Sequence, residues 1–225
     1  MSSPLEPTFQ APRIPEHRPG RPGGKRDVNR QQRLDALCRS ALTLLLERGV
    51  DAVTVDEIAR HAGLSKAGFY RYFTSPTELV ATAFAPLEQE AITVMEAGAA
   101  ALEAAQDTAE LVAAYQTFGV AMIGVILKHP EGVRLYLQER FGPASPMRAP
   151  ITALAHKVIA VVTRMTHASR AHGLMRDLDA DMTARIVAGS AQEVLGWYMR
   201  GELPTDPTQA IELLIDVTMW GVRAR

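Results

Sequence analysis

The sequence predicts an all-α chain, and three observations carry that prediction. Apolar residues recur at three- and four-residue spacing, and no stretch alternates apolar with polar residues as a half-buried strand would. Segment after segment opens on a residue that caps helices: Thr54, Ser65, Ser75, Asp179 and Asp206. Gly49, Gly63, Gly173 and Gly201 stand where such segments close. At 225 residues, 47% hydrophobic and 6% aromatic, the chain is long enough to bury a substantial core.

Residues 1–27 are rich in Pro, Gly and Arg and offer little to bury, which predicts a disordered basic arm. Within it, the run Arg18 to Arg26 has a Gly-Arg-Pro core between basic residues and resembles an AT-hook, an extended segment that lays arginine in a narrow minor groove. Arg18, Arg21, Lys25 and Arg26 are its candidate DNA contacts, and a solvated tail explains the same composition. A helix follows over Val28–Arg48, with Leu34, Leu37, Cys38, Ala41, Leu44 and Leu45 forming one stripe.

Residues 54–73 read as two short helices around a tight turn. Thr54 and Glu57 have the spacing of a capping box, and Ile58 and Ala62 share an inner face. Gly63 supplies the permissive backbone of the exit. Ser65 caps the second helix, whose Phe69 and Phe73 lie on one face four residues apart. This is the spacing of a helix-turn-helix, whose second helix enters the major groove. An ordinary αα-hairpin is the alternative, but the basic outer face of Lys66 and Arg71 beside small Ala67 and Gly68 favours DNA. Residues 28–75 are therefore read as a DNA-binding domain and 76–225 as a second helical domain.

Ser75-Pro76-Thr77-Glu78 opens the next helix, which is expected to pass Met95. Further helices are expected at Thr108–Lys128, Pro130–Arg140, Ile151–His172, from Asp179 to Arg200 and from Asp206 to Val222, with a loop at Phe141–Pro150. Residues 1–80 carry 12 Lys/Arg against 9 Asp/Glu, net +3; residues 81–225 carry 12 against 16, net −4. That asymmetry suits a polyanion-binding module joined to something else. The single cysteine, Cys38, fits a reducing, cytoplasmic setting. No uninterrupted apolar run is expected to reach membrane-spanning length, and no signal-peptide order is seen at the amino terminus.

Catalytic and metal chemistry is not indicated. His167 and His172 fall on different helix faces, and Asp177, Asp179 and Asp181 lack the glycine and glutamate of a calcium loop. No phosphate loop, dinucleotide fingerprint or serine elbow occurs, so neither an enzyme nor a bound cofactor is expected.

Over residues 28–80 the pattern resembles the tetracycline-repressor (TetR) family of bacterial regulators. It rests on the first-helix stripe, E-R-G at 47–49, T-V-D-E-I-A at 54–59 and A-G-L-S-K-A-G-F-Y-R-Y-F at 62–73. The resemblance implies an all-α homodimer with an N-terminal reading head and a C-terminal ligand-sensing, dimerising domain. By position, Thr54 would touch phosphate, Ser65, Lys66, Ala67, Gly68 and Arg71 the major groove, and Tyr70 and Tyr72 the backbone. Pro76 departs from the lysine that usually opens the fourth helix. The implied partners are a palindromic double-stranded operator, a second copy of the chain and a small effector, with no membrane.

Two further sets of residues follow. Ile186, Ser190 and Trp197 on one C-terminal helix, and Leu214 and Thr218 on the other, are the candidate dimer interface, although covering the core would explain the same stripes. Phe84, Tyr115, Phe118, Met122, Tyr136, Phe141, His156 and Met165 are candidates to surround a cavity for a small, largely apolar ligand, although such residues also build plain cores. The sequence thus reads as a ligand-released repressor; a dimeric regulator that activates or senses no ligand is the alternative.

Overall fold

The computed structural model describes residues 24–171 and 178–220. Arg18 and Arg21 of the basic arm lie outside them. The described residues form nine helices and no strand. Three make the amino-terminal head: α1 (Lys25–Arg48), α2 (Val55–His61) and α3 (Lys66–Phe69). Six make the body: α4 (Pro76–Ala104), α5 (Thr108–Lys128), α6 (Pro130–Glu139), α7 (Ala149–Ala171), α8 (Ala180–Arg200) and α9 (Pro207–Trp220).

Helix α1 begins three residues before the expected Val28. Gly24 is its N-cap, its carbonyl accepting from the Asp27 and Val28 amides at 2.8 and 3.0 Å, and Asp27 places a carboxylate in the positive first turn. Lys25 and Arg26 are therefore helical and exposed, not part of an extended arm. Ser75 caps α4 as expected, accepting from the Glu78 amide at 3.1 Å, with Pro76 in the first turn. Asp107 and Asp179 do the same for α5 and α8. Helix α7 starts at Ala149, two residues inside the expected loop, after the turn bonds of Arg148 and Ala149 to Ser145.

Helix α4 is the shared wall of the body, packing on α7 along one side and α5 along another, while α8 closes over α7 and α9 over α5. One core cluster runs without a break from Leu37, Ala41, Leu45, Ile58 and Phe69 in the head to Leu79, Phe84, Val133 and Leu135 in the body. A second, around Met95, Ala99, Leu102, Leu111 and Met165, fills the far end. Helix α5 is a long, mostly apolar helix of the body, though Glu110, Gln116 and Thr117 interrupt its apolar run. Thr108–Lys128 is long and apolar enough by composition to cross a membrane, with a mean hydropathy of 1.6 over its most apolar window. Gly119 lets it approach α9, since a Cβ there would meet the Ile211 side chain at 2.9 Å; Gly124 faces open space.

A buried ion cluster joins head to body. Arg148, 4% exposed, donates to Glu139 Oε2 from Nε and Nη2 at 3.0 and 2.8 Å, and to Asp51 Oδ2 from Nη2 at 2.7 Å. Glu139, itself buried, also accepts from the Val50 amide of the head at 3.3 Å. Gly142 makes room for this guanidinium, because a Cβ there would lie 2.4 Å from its Nε.

Candidate nucleic-acid interface and interior cavity

The reading head is built from caps. The Thr54 hydroxyl accepts from the Glu57 amide at 3.3 Å, and Glu57 Oε2 accepts from the Thr54 amide at 2.9 Å, closing the reciprocal box. Arg48 adds a bond to Glu57 Oε1 at 2.7 Å. Arg48, with help from Thr54, holds the Glu57 carboxyl well below the usual carboxylate range, at about 2. Gly63 adopts φ +70°, where side chains rarely go, and the chain reverses with the Leu64 amide bonded to the Ala59 carbonyl at 2.8 Å. Ser65 then accepts from the Gly68 amide at 3.1 Å and starts α3.

Helix α3 is shorter than its sequence suggests. Only Lys66–Phe69 is helical; Tyr70 to Tyr72 continue as turns, with the Arg71 and Tyr72 amides bonded three residues back to Gly68 and Phe69. Phe69 and Phe73 are buried, their rings 5.7 Å apart, and fix this unit to the core. Thr54, Ser65, Lys66, Ala67, Tyr70 and Arg71 are exposed, while Gly68 and Tyr72 are half-buried. Two guanidiniums flank the Tyr72 ring: Arg71 at 5.4 Å and Arg30, from α1, at 5.7 Å. The outer surface is thus cationic, small in the middle, and able to meet both phosphates and base edges.

In the body a cavity of about 300 Å³ lies among α4 to α9. Tyr115, Phe118, Met122, Tyr136 and Met165 line it. The other three expected residues do not. Phe84 is 1% exposed and belongs to the solid core below. Phe141 is 82% exposed, because it falls past the end of α6 and its ring lies 4.3 Å under the Arg140 guanidinium. His156 is exposed, since α7 turns Leu154, Val158, Val162 and Met165 to the cavity and His156 lies on the other side. Leu214, expected at a dimer interface, lines the cavity too.

The outward faces of α8 and α9 carry exposed apolar side chains among charged ones such as Arg185, Glu193, Glu212 and Asp216. On α8, Ile186 is 61% and Trp197 40% exposed, with Ser190 also exposed. On α9 it is Leu213 and Val217, four residues apart, that face out, at 62% and 42%. The expected stripe on α9 is therefore rotated by one residue, which moves Leu214 indoors. The Thr218 side chain lies outside the described set.

Residues 37–83 match the model for bacterial regulatory proteins of the tetR family. That match spans most of the head and the start of α4. Over 63 residues, 28% of this chain and 32% of the other, it is 36% identical to the uncharacterized HTH-type transcriptional regulator YdeS of Bacillus subtilis. It thus spans about a third of that relative's length. Over 190 residues it is 27% identical to the HTH-type transcriptional regulator BetI of Rhizobium meliloti, covering 83% of this chain and 85% of that one. The fold is that of the transcriptional regulator FadR from Bacillus subtilis, solved in complex with stearoyl-CoA: TM-score 0.63, 15% identity, 84% of this chain and 99% of the other. The stretch matched by the tetR-family model contains the helix-turn-helix of the head described above.

Sequence reasoning missed some of the cavity's residues. Gln192 lines the chamber and donates to the Tyr136 hydroxyl at 3.0 Å. Its signal was present: a glutamine four residues after Ala188 and three before Leu195, on the inner stripe of α8. Arg30 was also overlooked as a neighbour of the reading unit, because its partner Tyr72 is 42 residues away in sequence. Among the described residues no group of three or more His, Cys, Asp or Glu is arranged to hold a metal ion.

Proposed function

We propose that this protein is a cytoplasmic repressor of the TetR family that binds a palindromic operator as a homodimer and leaves it when a small, largely apolar effector enters the body cavity. The observation that carries this reading is a chamber walled by apolar side chains in the same packed unit as an exposed helix-turn-helix. The head cannot tilt independently: the shared core and the Glu139–Arg148–Asp51 cluster tie it to α6 and to the loop before α7. An effector that reshapes the walls would therefore change how two heads are spaced, and two half-sites about 34–36 Å apart would no longer be met together.

The exposed apolar strips of Ile186, Ser190 and Trp197 on α8 and Leu213 and Val217 on α9 support the pairing, since large uncovered apolar faces mark association sites. Thr54, Ser65, Lys66, Ala67, Gly68 and Arg71 are assigned to the operator, with Tyr70 and Tyr72 on its backbone. The experiment is selection of binding sites from random duplex DNA, followed by operator anisotropy measurements with and without compounds that fill the chamber. A palindromic site, released by such a compound, is expected; equal affinity for random DNA would overturn the regulator, and retention of the operator by a saturated protein would overturn the release.

A further inference from the structure

The chamber's chemistry is more specific than its apolar walls suggest. None of the described residues that line it is charged or is a histidine. Of the hydroxyls on its wall, those of Tyr115 and Thr166 are committed, whereas Tyr198, which also lines it, has no hydrogen-bond partner for its hydroxyl among the described residues. Ser169 donates to the Met165 carbonyl at 3.0 Å, so the Tyr115 hydroxyl, 3.3 Å from Ser169 Oγ, spends its proton on that oxygen. Thr166 donates back to the Val162 carbonyl at 2.9 Å.

The Tyr136–Gln192 pair differs. It joins α6 to α8 across the wall, with the Gln192 amide donating to the Tyr136 oxygen at 3.0 Å. In that orientation the Tyr136 proton and the Gln192 carbonyl have no protein partner. With the amide turned over, the Tyr136 proton is used but the Gln192 amide protons and a Tyr136 lone pair are left. Both orientations leave one donor and one acceptor for a guest. Burial also pushes the Tyr136 hydroxyl above its ordinary pKa, which keeps it neutral.

We propose that the chamber takes an electrically neutral, mainly hydrocarbon effector bearing one hydroxyl, carbonyl or amide group, and that this group docks on the Tyr136–Gln192 pair. The inference rests on the effector reading above and narrows it. An ion entering here would lose its water and gain no counter-charge, whereas a neutral polar group regains its hydrogen bonds on the pair.

The test uses two scaffolds, octyl and naphthyl, each as hydrocarbon, alcohol and carboxylate, with octyltrimethylammonium as the cation. Calorimetry at neutral pH on the full chain gives each affinity. The alcohols should bind about five- to tenfold tighter than their hydrocarbons, and the ions at least about a hundredfold weaker than the alcohols. The double variant Tyr136→Phe with Gln192→Leu removes both polar groups and should erase the alcohol's advantage, while hydrocarbon binding, still measurable, shows that the chamber is intact; Tyr198→Phe, on the same wall, should preserve the advantage. Ions binding as tightly as alcohols would overturn neutrality and leave the effector reading standing. An alcohol advantage that survives the double variant would overturn the docking pair. Failure of every probe would overturn the effector chamber itself.

Discussion

Arg71 stands on the exposed turn after α3 with its guanidinium over the Tyr72 ring, which holds the long side chain in place without using its hydrogen-bond donors. A positioned guanidinium can take a guanine edge through two bonds. Arg71→Ala should therefore cost ~1–3 kcal/mol on the selected operator and much less on random DNA. Equal losses on both would make Arg71 a phosphate contact. Glu57 is the residue whose titration matters most to the head. Its carboxyl ordinarily titrates near 4.5 and is held at about 2 by Arg48 and Thr54. A carboxylate depressed in this way supports the fold fully above its unfolded pKa, and that support fades as pH falls through the folded value. Acid titration should thus loosen α2 between about pH 4.5 and 2, and Glu57→Gln should remove that phase from the amide-exchange profile. Cys38 is the contrasting case: burial, then Asp35, pushes its thiol up to about 11. It should react with disulfide reagents far more slowly than a free thiol at neutral pH, measured by the colour released on mixing.

Between elements, the junction of head and body depends on one buried cation. Arg148 satisfies Glu139, Asp51 and the Pro143 carbonyl together, so each carboxylate removed leaves a different deficit. Glu139 is buried beside it, whereas the Asp51 side chain is 54% exposed. Glu139→Ala should destabilise the protein by about 3–5 kcal/mol in urea, because it strands a buried guanidinium and orphans the Val50 amide. Asp51→Asn should cost far less, since water reaches that end of the cluster. Equal losses would show that the weight of the cluster sits at Asp51.

At the scale of the whole molecule, the function proposed above gives the two faces of α9 different tasks, assembly on one and sensing on the other. Leu213 faces out and Leu214 faces the chamber, so neighbouring substitutions should have different consequences. Leu213→Asp or Trp197→Arg should give monomers in sedimentation, through a charge in a dimer contact. Leu214→Asp should instead damage probe binding and stability. Dimers persisting in both outward variants would place the interface elsewhere. Removal of residues 1–23 keeps α1 whole, since that helix is capped at Gly24. If Arg18 and Arg21 neutralise phosphates, the logarithmic salt dependence should flatten by ~0.9 for every phosphate they no longer cover, with the preferred core sequence unchanged. An unaltered slope would make the arm a solvated tail.

The sequence by itself determined the fold class, the order of the helices and the head. Those depend on neighbours within a few residues: Thr54 with Glu57, Gly63 at the turn, Ser65 with Gly68, Phe69 with Phe73. Local periodicity also found five of the cavity's residues, because a helix turns every fourth side chain the same way. It could not say which apolar stripe faces a void, which a solid core and which the solvent. Phe84, Leu214 and Phe141 read alike in sequence, yet tertiary packing sends them to the core, the chamber wall and the surface. The same holds for Glu139 and Arg148. Each is an ordinary charge until α6 and the loop after it fold against Val50 and Asp51, 89 and 97 positions earlier, and bury the pair. Contacts of that range are set by how the helices pack around α4, a property that no short window of the chain contains.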